Sequence, residues 1–245
     1  MKVDYNQTQH QGYNQGRSIR PEALAGWMTA FRSHAPHARA WLDLGCGTGR
    51  FTAALADEFG GPVYGVEPAA AMRSQAPIHP GVVYLDGAAE AIPLADDAVD
   101  AVLCFLSFHH FRDRAAAAAE LHRVLRPNGR LLIRSMFCDR MPDLIWHTYF
   151  PKARAAELDF FPSVAETRAA LPQFETLALD VVPEPQARSL AERLERLRHR
   201  ATSAFEYLSE AEIQAGFAAL ERDAAAETNP QTEIVPCDLL VLRPR

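Results

Sequence analysis

The densest chemical feature of the sequence is Asp43-Leu44-Gly45-Cys46-Gly47-Thr48-Gly49. Glycines at alternate positions let the chain turn sharply and let a ligand lie on peptide N–H groups at the positive end of a following helix. The same pattern also occurs as a plain packing turn, so a second feature has to argue for a ligand. Glu67 supplies it: 18 residues beyond Gly49, at the end of the next apolar run, its carboxylate can accept both hydroxyls of a ribose. The spacing is GxGxG rather than the GxGxxG of dinucleotide folds, and the Gly-Lys-Ser/Thr step of a phosphate-binding loop is missing. A nucleoside without phosphate fits this pair of features best.

Further candidates lie downstream. His109 and His110 could supply a general base near neutral pH, or could simply hold position by packing and local hydrogen bonds. Trp146, His147 and Tyr149 sit in an aromatic stretch suited to an acceptor pocket or to the core of a lid, and an aromatic face there could stabilise a cation by about 0.5–2 kcal/mol. Asp139 and Asp143 could bind a cationic acceptor or belong to a solvated loop, and Tyr207 is a further pocket candidate. Glu192, Arg193, Glu195, Arg196, Arg198 and Arg200 read as an exposed helix face laced by ion pairs, with no chemistry assigned.

The elements that must position these residues follow from periodicity. The first 20 residues, rich in Gln, Asn, Gly and Tyr, suit a mobile segment, and Pro21 opens an amphipathic helix to about Arg32. Strands are expected at 40–44, 62–66, 81–85, 99–106 and 130–136, with helices at 50–59, 69–75 and 112–125 between them. A turn is expected at Arg126-Pro127-Asn128-Gly129. Such alternation implies βαβ units and a mostly parallel sheet covered on both faces. Residues 137–162 break the rhythm as a loop and helix excursion. Ser163 and Glu166 form a capping box for a helix to Leu171, and a strand runs from Phe174 to Val182. Two helices over 188–226, broken near Leu208-Ser209 with Ser209 and Glu212 as a second capping box, precede a last strand at 234–242.

Composition narrows the function. With 25 Lys plus Arg against 31 Asp plus Glu, the formal net charge is −6 without any basic block, which argues against nucleic acid as a partner. Apolar runs such as 101–106 and 131–133 fall far short of the roughly 18 residues of a membrane helix. The polar N-terminus lacks an apolar export region, so a cytoplasmic location is expected. Cys46, Cys104, Cys138 and Cys237 have no metal-ligand spacing, and neither a disulfide framework nor a metal site is expected.

Taken in order, these residues resemble the class I S-adenosylmethionine (SAM)-dependent methyltransferases, in particular the small-molecule methyltransferase type 11 group. The resemblance runs through Trp41 to Gly49, Val66-Glu67-Pro68, Asp86 to Pro93, Asp100 to Leu103, Phe108 to Phe111 and Glu120 to Gly129, covering residues 40–136. It implies an α/β fold with a Rossmann-like, seven-stranded, mostly parallel sheet and a helical cap. It further implies a single SAM-binding domain over 1–245, with a lid segment at 1–35 and cap insertions at 137–162 and 186–232. By the same resemblance Asp43 and the loop of Gly45, Cys46, Gly47 and Gly49 hold the methionine end of SAM. Glu67, with Pro68 beside it, holds the ribose, and Gly87, Ala88, Ala89 and Glu90 hold the adenine edge. Phe105, Leu106, Phe108, His109 and His110 then lie at the sulfonium, with Tyr149 on the acceptor side.

Tyr5, Tyr13 and Arg17 resemble a segment that folds over the cofactor, where Arg17 could pair with the SAM carboxylate, although a plain solvated tail is an equal reading. The implied reaction is methyl transfer to a small-molecule acceptor, with S-adenosylhomocysteine as co-product, no metal, and a monomer or homodimer as the assembly. Competing readings are a SAM enzyme that attacks the aminopropyl side or cyclises SAM to release methylthioadenosine, a non-catalytic SAM-binding regulatory module, and a nicotinamide-dependent dehydrogenase. The last would need pyrophosphate contacts that GxGxG does not favour.

Overall fold

The computed structural model describes residues 12–245, so Tyr5 lies outside the described residues. A helical turn α1 (Tyr13–Gly16) precedes α2 (Pro21–His34), where Pro21 at the first turn costs no hydrogen bond because that N–H would have no intrahelical partner anyway. The alternating part follows as β1 (Trp41–Leu44), α3 (Thr52–Phe59), β2 (Val63–Val66), α4 (Ala70–Arg73), β3 (Val82–Leu85), β4 (Val99–Phe105), α5 (Arg114–Val124) and β5 (Leu125–Ser135). After it come α6 (Ile145–Tyr149), α7 (Pro151–Phe160), α8 (Val164–Ala169), β6 (Phe174–Pro185), α9 (Leu190–Arg198), α10 (Glu210–Ala226) and β7 (Ile234–Pro244).

The strands form one seven-stranded sheet in the order β3-β2-β1-β4-β5-β7-β6, parallel from β3 to β5, with β7 antiparallel to both neighbours. Side chains alternate between two cores. Ala101 and Leu103 of β4 face a layer built with Trp27 and Phe31 of α2, Leu55 of α3 and Phe217 of α10. Val102 and Cys104 face the opposite layer with Leu121 of α5 and Val164 of α8. Burial on both faces explains why β1 is apolar almost throughout, Asp43 excepted.

Both capping boxes form, with the Ser163 and Ser209 hydroxyls accepting from the Glu166 and Glu212 amides, and each glutamate accepting from the serine amide in return. Three expected boundaries shift. The turn at 126–129 is absorbed into β5: Leu125 pairs with Val99, and a bulge then carries the chain through Asn128 at φ 66°. The break between the late helices runs from His199 to Ser209 and includes a 3-10 turn at Ser203–Tyr207. Strand β6 continues to Pro185 because it pairs with β7 along its length, and this brings Glu184 to the working edge of the sheet. Among the described residues no helix is long and apolar enough to cross a membrane.

Candidate active site

The carboxyl ends of β1, β2 and β4 open onto a cavity of about 280 Å³ lined by Gly45, Gly47, Glu67, Pro68 and the 87–90 segment. This is the edge where α/β sheets bind ligands. Gly45, Gly47 and Gly49 have φ of 73°, 57° and 73°, a region in which other residues are strained. A Cβ on Gly45 would fall 2.5 Å from that of Ser107, whose hydroxyl donates to the Leu44 carbonyl at 2.6 Å, so the loop is pinned against the end of β4.

Four of the five amides from Gly45 to Gly49 are already bonded within the chain, contrary to the expectation from the glycine pattern. Gly45 and Cys46 N–H donate to the Val66 carbonyl, Gly49 N–H to the Cys46 carbonyl, and Gly47 N–H to Glu67 Oε2 at 3.1 Å. The Ala69 N–H donates to Glu67 Oε1 at 2.9 Å. An ionised carboxylate has about four acceptor sites, so two remain for ligand hydroxyls. Burial raises the Glu67 pKa against the pull of these two amides. Asp43 lies behind the loop, 2% exposed, accepting from Thr52 Oγ1 at 2.7 Å, and desolvation pushes its carboxyl up to about 6. Asp43, Cys46 and Gly49 therefore shape the loop from behind, while Gly45 and Gly47 line the cavity.

Gly87, Ala88, Ala89 and Glu90 line the cavity where the resemblance puts an adenine, but the Glu90 carboxylate is turned to the Arg112 and Asp113 amides at 2.7 and 3.1 Å. Met72 and Ser107 also line it and were not singled out from the sequence, where a lone methionine or serine carries no signal of its own.

A second cavity, of about 120 Å³, lies between the sheet edge and the cap. Tyr13, Phe105, Leu106 and His110 line both cavities. Leu106 holds φ 54°, an uncommon conformation for a branched residue, with its N–H donating to the Arg134 carbonyl at 2.8 Å. His109 is buried against Phe161 at 4.4 Å and faces the second cavity, while Phe108 is buried beneath this turn and lines neither. Burial, followed by the neighbouring His110 and Arg17, lowers the His109 pKa well below 6.5. Burial and Arg17 lower His110 to about 4. Both imidazoles are neutral at pH 7, and a base so weak is poorly matched to proton abstraction there.

Residues 12–20 touch the body of the chain at several points, with Asn14, Gln15 and Ser18 exposed and the others half-buried. Thr48 Oγ1 donates to Asn14 Oδ1 at 2.6 Å, Arg50 lies over the Tyr13 ring at 5.4 Å, and Arg50 Nη1 donates to the Arg17 carbonyl at 2.6 Å. Arg17 itself lines the second cavity.

The acceptor-side candidates lie unevenly around the second cavity. Tyr149 lines neither cavity, and its hydroxyl donates to Asp223 at 3.0 Å on the far side of α6. Asp143 pairs with Arg154 and Asp139 accepts from the Val164 amide, and neither lines either cavity. His147 pairs with Glu157 at 2.8 Å, and Tyr207 packs on Phe160, whereas Trp146 does line the second cavity. The charged face of α9 is not wholly exposed: Arg193 is buried and Arg196 half-buried, and both line that cavity together with Arg134 of β5. The sign alternation in α9 masked this. Arg134 left a legible signal, an arginine directly after the apolar run Leu131-Leu132-Ile133 in a strand buried on both faces.

Comparison with known proteins agrees with this geometry. The family profile described as "Methyltransferase domain" matches residues 42–133. An uncharacterized methyltransferase of Mycobacterium tuberculosis is 38% identical over 138 residues, covering 56% of this chain and 49% of that protein. The chain thus spans about half the length of the curated relatives it matches. Among solved structures, a putative methyltransferase from an antibiotic biosynthesis pathway of Anabaena variabilis superposes with a TM-score of 0.73 at 22% identity, covering 89% of this chain and 96% of that one. The [4+2]-cyclase SpnF superposes at 0.60 and 20% identity, covering 94% and 83%. Residues 42–133 thus match a methyltransferase domain, and the chain as a whole shares its fold with methyltransferases of known structure.

Proposed function

We propose that the chain binds SAM in the Glu67 cavity and transfers its methyl group to a small-molecule acceptor held in the cavity beneath the cap. The supporting observation is the wall shared by the two cavities, made by Tyr13, Phe105, Leu106 and His110, where donor and acceptor would meet. When bound, SAM supplies an electrophilic methyl group on a sulfonium. The two free acceptor sites of Glu67 fit the ribose hydroxyls, and the 87–89 backbone with Pro68 fits a flat, uncharged base. Asp43, through the loop it supports, offers negative charge to an ammonium at the methionine end. Arg17, whose Nε is buried without a partner among the described residues, and Arg50 line the adjoining cavity beneath the cap, from whose near end they offer positive charge to the carboxylate of that end.

In-line displacement needs alignment and exclusion of water more than acid or base strength. Trp146, Leu144 and Phe161 supply the apolar cover. His109 and His110, neutral in this setting, serve as positioning groups at the junction. Incubation with SAM and candidate acceptors, with the sulfur product identified by mass, tests the reading: S-adenosylhomocysteine supports it. Methylthioadenosine would instead favour aminopropyl-side chemistry.

A further inference from the structure

The cavity beneath the cap is unusually rich in guanidinium groups. Arg17, Arg20, Arg50, Arg134, Arg193 and Arg196 line it, against Glu157, Glu184 and Glu233, an excess of three positive charges in a chain whose formal charge is −6. The glutamates are already engaged. Glu157 pairs with His147, Glu233 pairs with Arg193 and accepts from the Ile145 amide, and Glu184 accepts from Trp27 Nε1 at 2.6 Å.

The arginines are less well matched. Arg134, 3% exposed, has no hydrogen-bond partner for Nε or Nη1 among the described residues. Its Nη2 lies 2.9 Å from Cys237 Sγ and 3.7 Å from Glu184 Oε2. Burial pushes the Cys237 thiol up to about 12, so it is neutral and Glu184 is the nearby counter-charge. The Nε atoms of Arg193 and Arg196 are likewise buried and unpartnered among the described residues. Among the described residues Arg196 donates only to the carbonyls of Ser18 and Gln186. Burial, with Arg196 one turn away, pushes Arg193 down to about 10, still charged at neutral pH.

Buried donors without acceptors, and adjacent cations that outnumber their counter-ions, are costly unless something fills the site. Guanidinium forks match planar carboxylates and phosphates better than any other ligand chemistry. Arg134, Arg193 and Arg196 line this cavity and not the Glu67 cavity, where Arg112 is the one arginine among the described residues.

We infer that the acceptor carries an oxyanion, a carboxylate or a phosphate monoester, held by Arg134, Arg193 and Arg196 while its apolar body lies against Trp146, Phe161 and Leu197. The inference rests on the cofactor assignment above and adds the chemical class of the acceptor. The test titrates the full chain calorimetrically with benzoate, phenyl phosphate and the neutral benzamide, each in the presence of saturating S-adenosylhomocysteine. One of the two anions should bind at least tenfold more tightly than benzamide, and which one does so distinguishes carboxylate from phosphate. Arg193→Gln and the half-buried Arg196→Gln should each weaken that anion at least fivefold while S-adenosylhomocysteine affinity stays within twofold. The wild-type comparison holds whether or not the variants fold. Equal affinity for benzamide, no uptake of either anion, or variants that lose S-adenosylhomocysteine instead of the anion would overturn the inference. Failure of the wild-type chain to take up S-adenosylhomocysteine would instead remove the cofactor assignment, and the acceptor class with it.

Discussion

Asp43 is ionised at neutral pH against its surroundings: burial lifts its pKa from 3.8 to about 6, more than Thr52 and Arg50 offset. Between those values the folded chain holds a proton that the unfolded chain has released, so this residue's contribution to stability falls as pH rises and is at its most unfavourable above pH 6. The difference corresponds to about 3 kcal/mol. Asp43→Asn keeps an acceptor for Thr52 and removes the buried charge. It should unfold at a higher temperature than wild type at pH 7.5, with the gap shrinking as pH falls to 5, and should lose cofactor affinity at least tenfold. A constant gap in thermal scans at the two pH values would show that the carboxyl is not the source. The histidines carry the opposite sign. With His109 and His110 depressed by burial, the unfolded chain takes up more protons, and their contribution to stability is lost as pH falls through 6.5 toward 4. Neither titrates between pH 6 and 8, so kcat should show no ionisation with a pKa near 6.5 that disappears in His110→Gln; finding one would restore a general base.

Among the elements, the strands and helices that carry the first half of the sheet were legible because their periods are clean and short glycine turns separate them. Ser163 and Ser209 were legible for a chemical reason, the reciprocal serine and glutamate three residues apart. Each of Ser163→Ala and Ser209→Ala should cost about 1 kcal/mol in denaturant unfolding, without changing cofactor affinity. The N-terminal segment was open to two readings because α1 contains no buried residue and its packing depends on partners far along the chain. A Cβ at Gly16 would approach that of Ala201 to 2.8 Å and that of His199 to 3.0 Å. Gly16→Val should therefore lift the segment from the residues after α9, weakening S-adenosylhomocysteine binding severalfold while scarcely moving the melting temperature. An equal loss of both would make the segment part of the folded core. What could not be read from the sequence is what only tertiary structure decides: which loop amides are already bonded, and which side of α9 turns inward.

At the scale of the molecule, the sheet holds two cavities end to end at its carboxyl edge and gives them different chemistry. One has a single buried glutamate with spare acceptor sites. The other has buried cations with spare donors, and it is roofed by helices that pack on one another. The Asp43 loop and Glu67 meet through one hydrogen bond, Gly47 N–H to Glu67 Oε2, which ties the backbone turn to the carboxylate. The most direct test of the account is therefore calorimetric titration of S-adenosylhomocysteine into the wild-type chain and into Glu67→Ala. The account predicts one site per chain in the wild type and a loss of at least tenfold in affinity in the variant; no uptake by the wild type, or equal affinities in the two proteins, would contradict it.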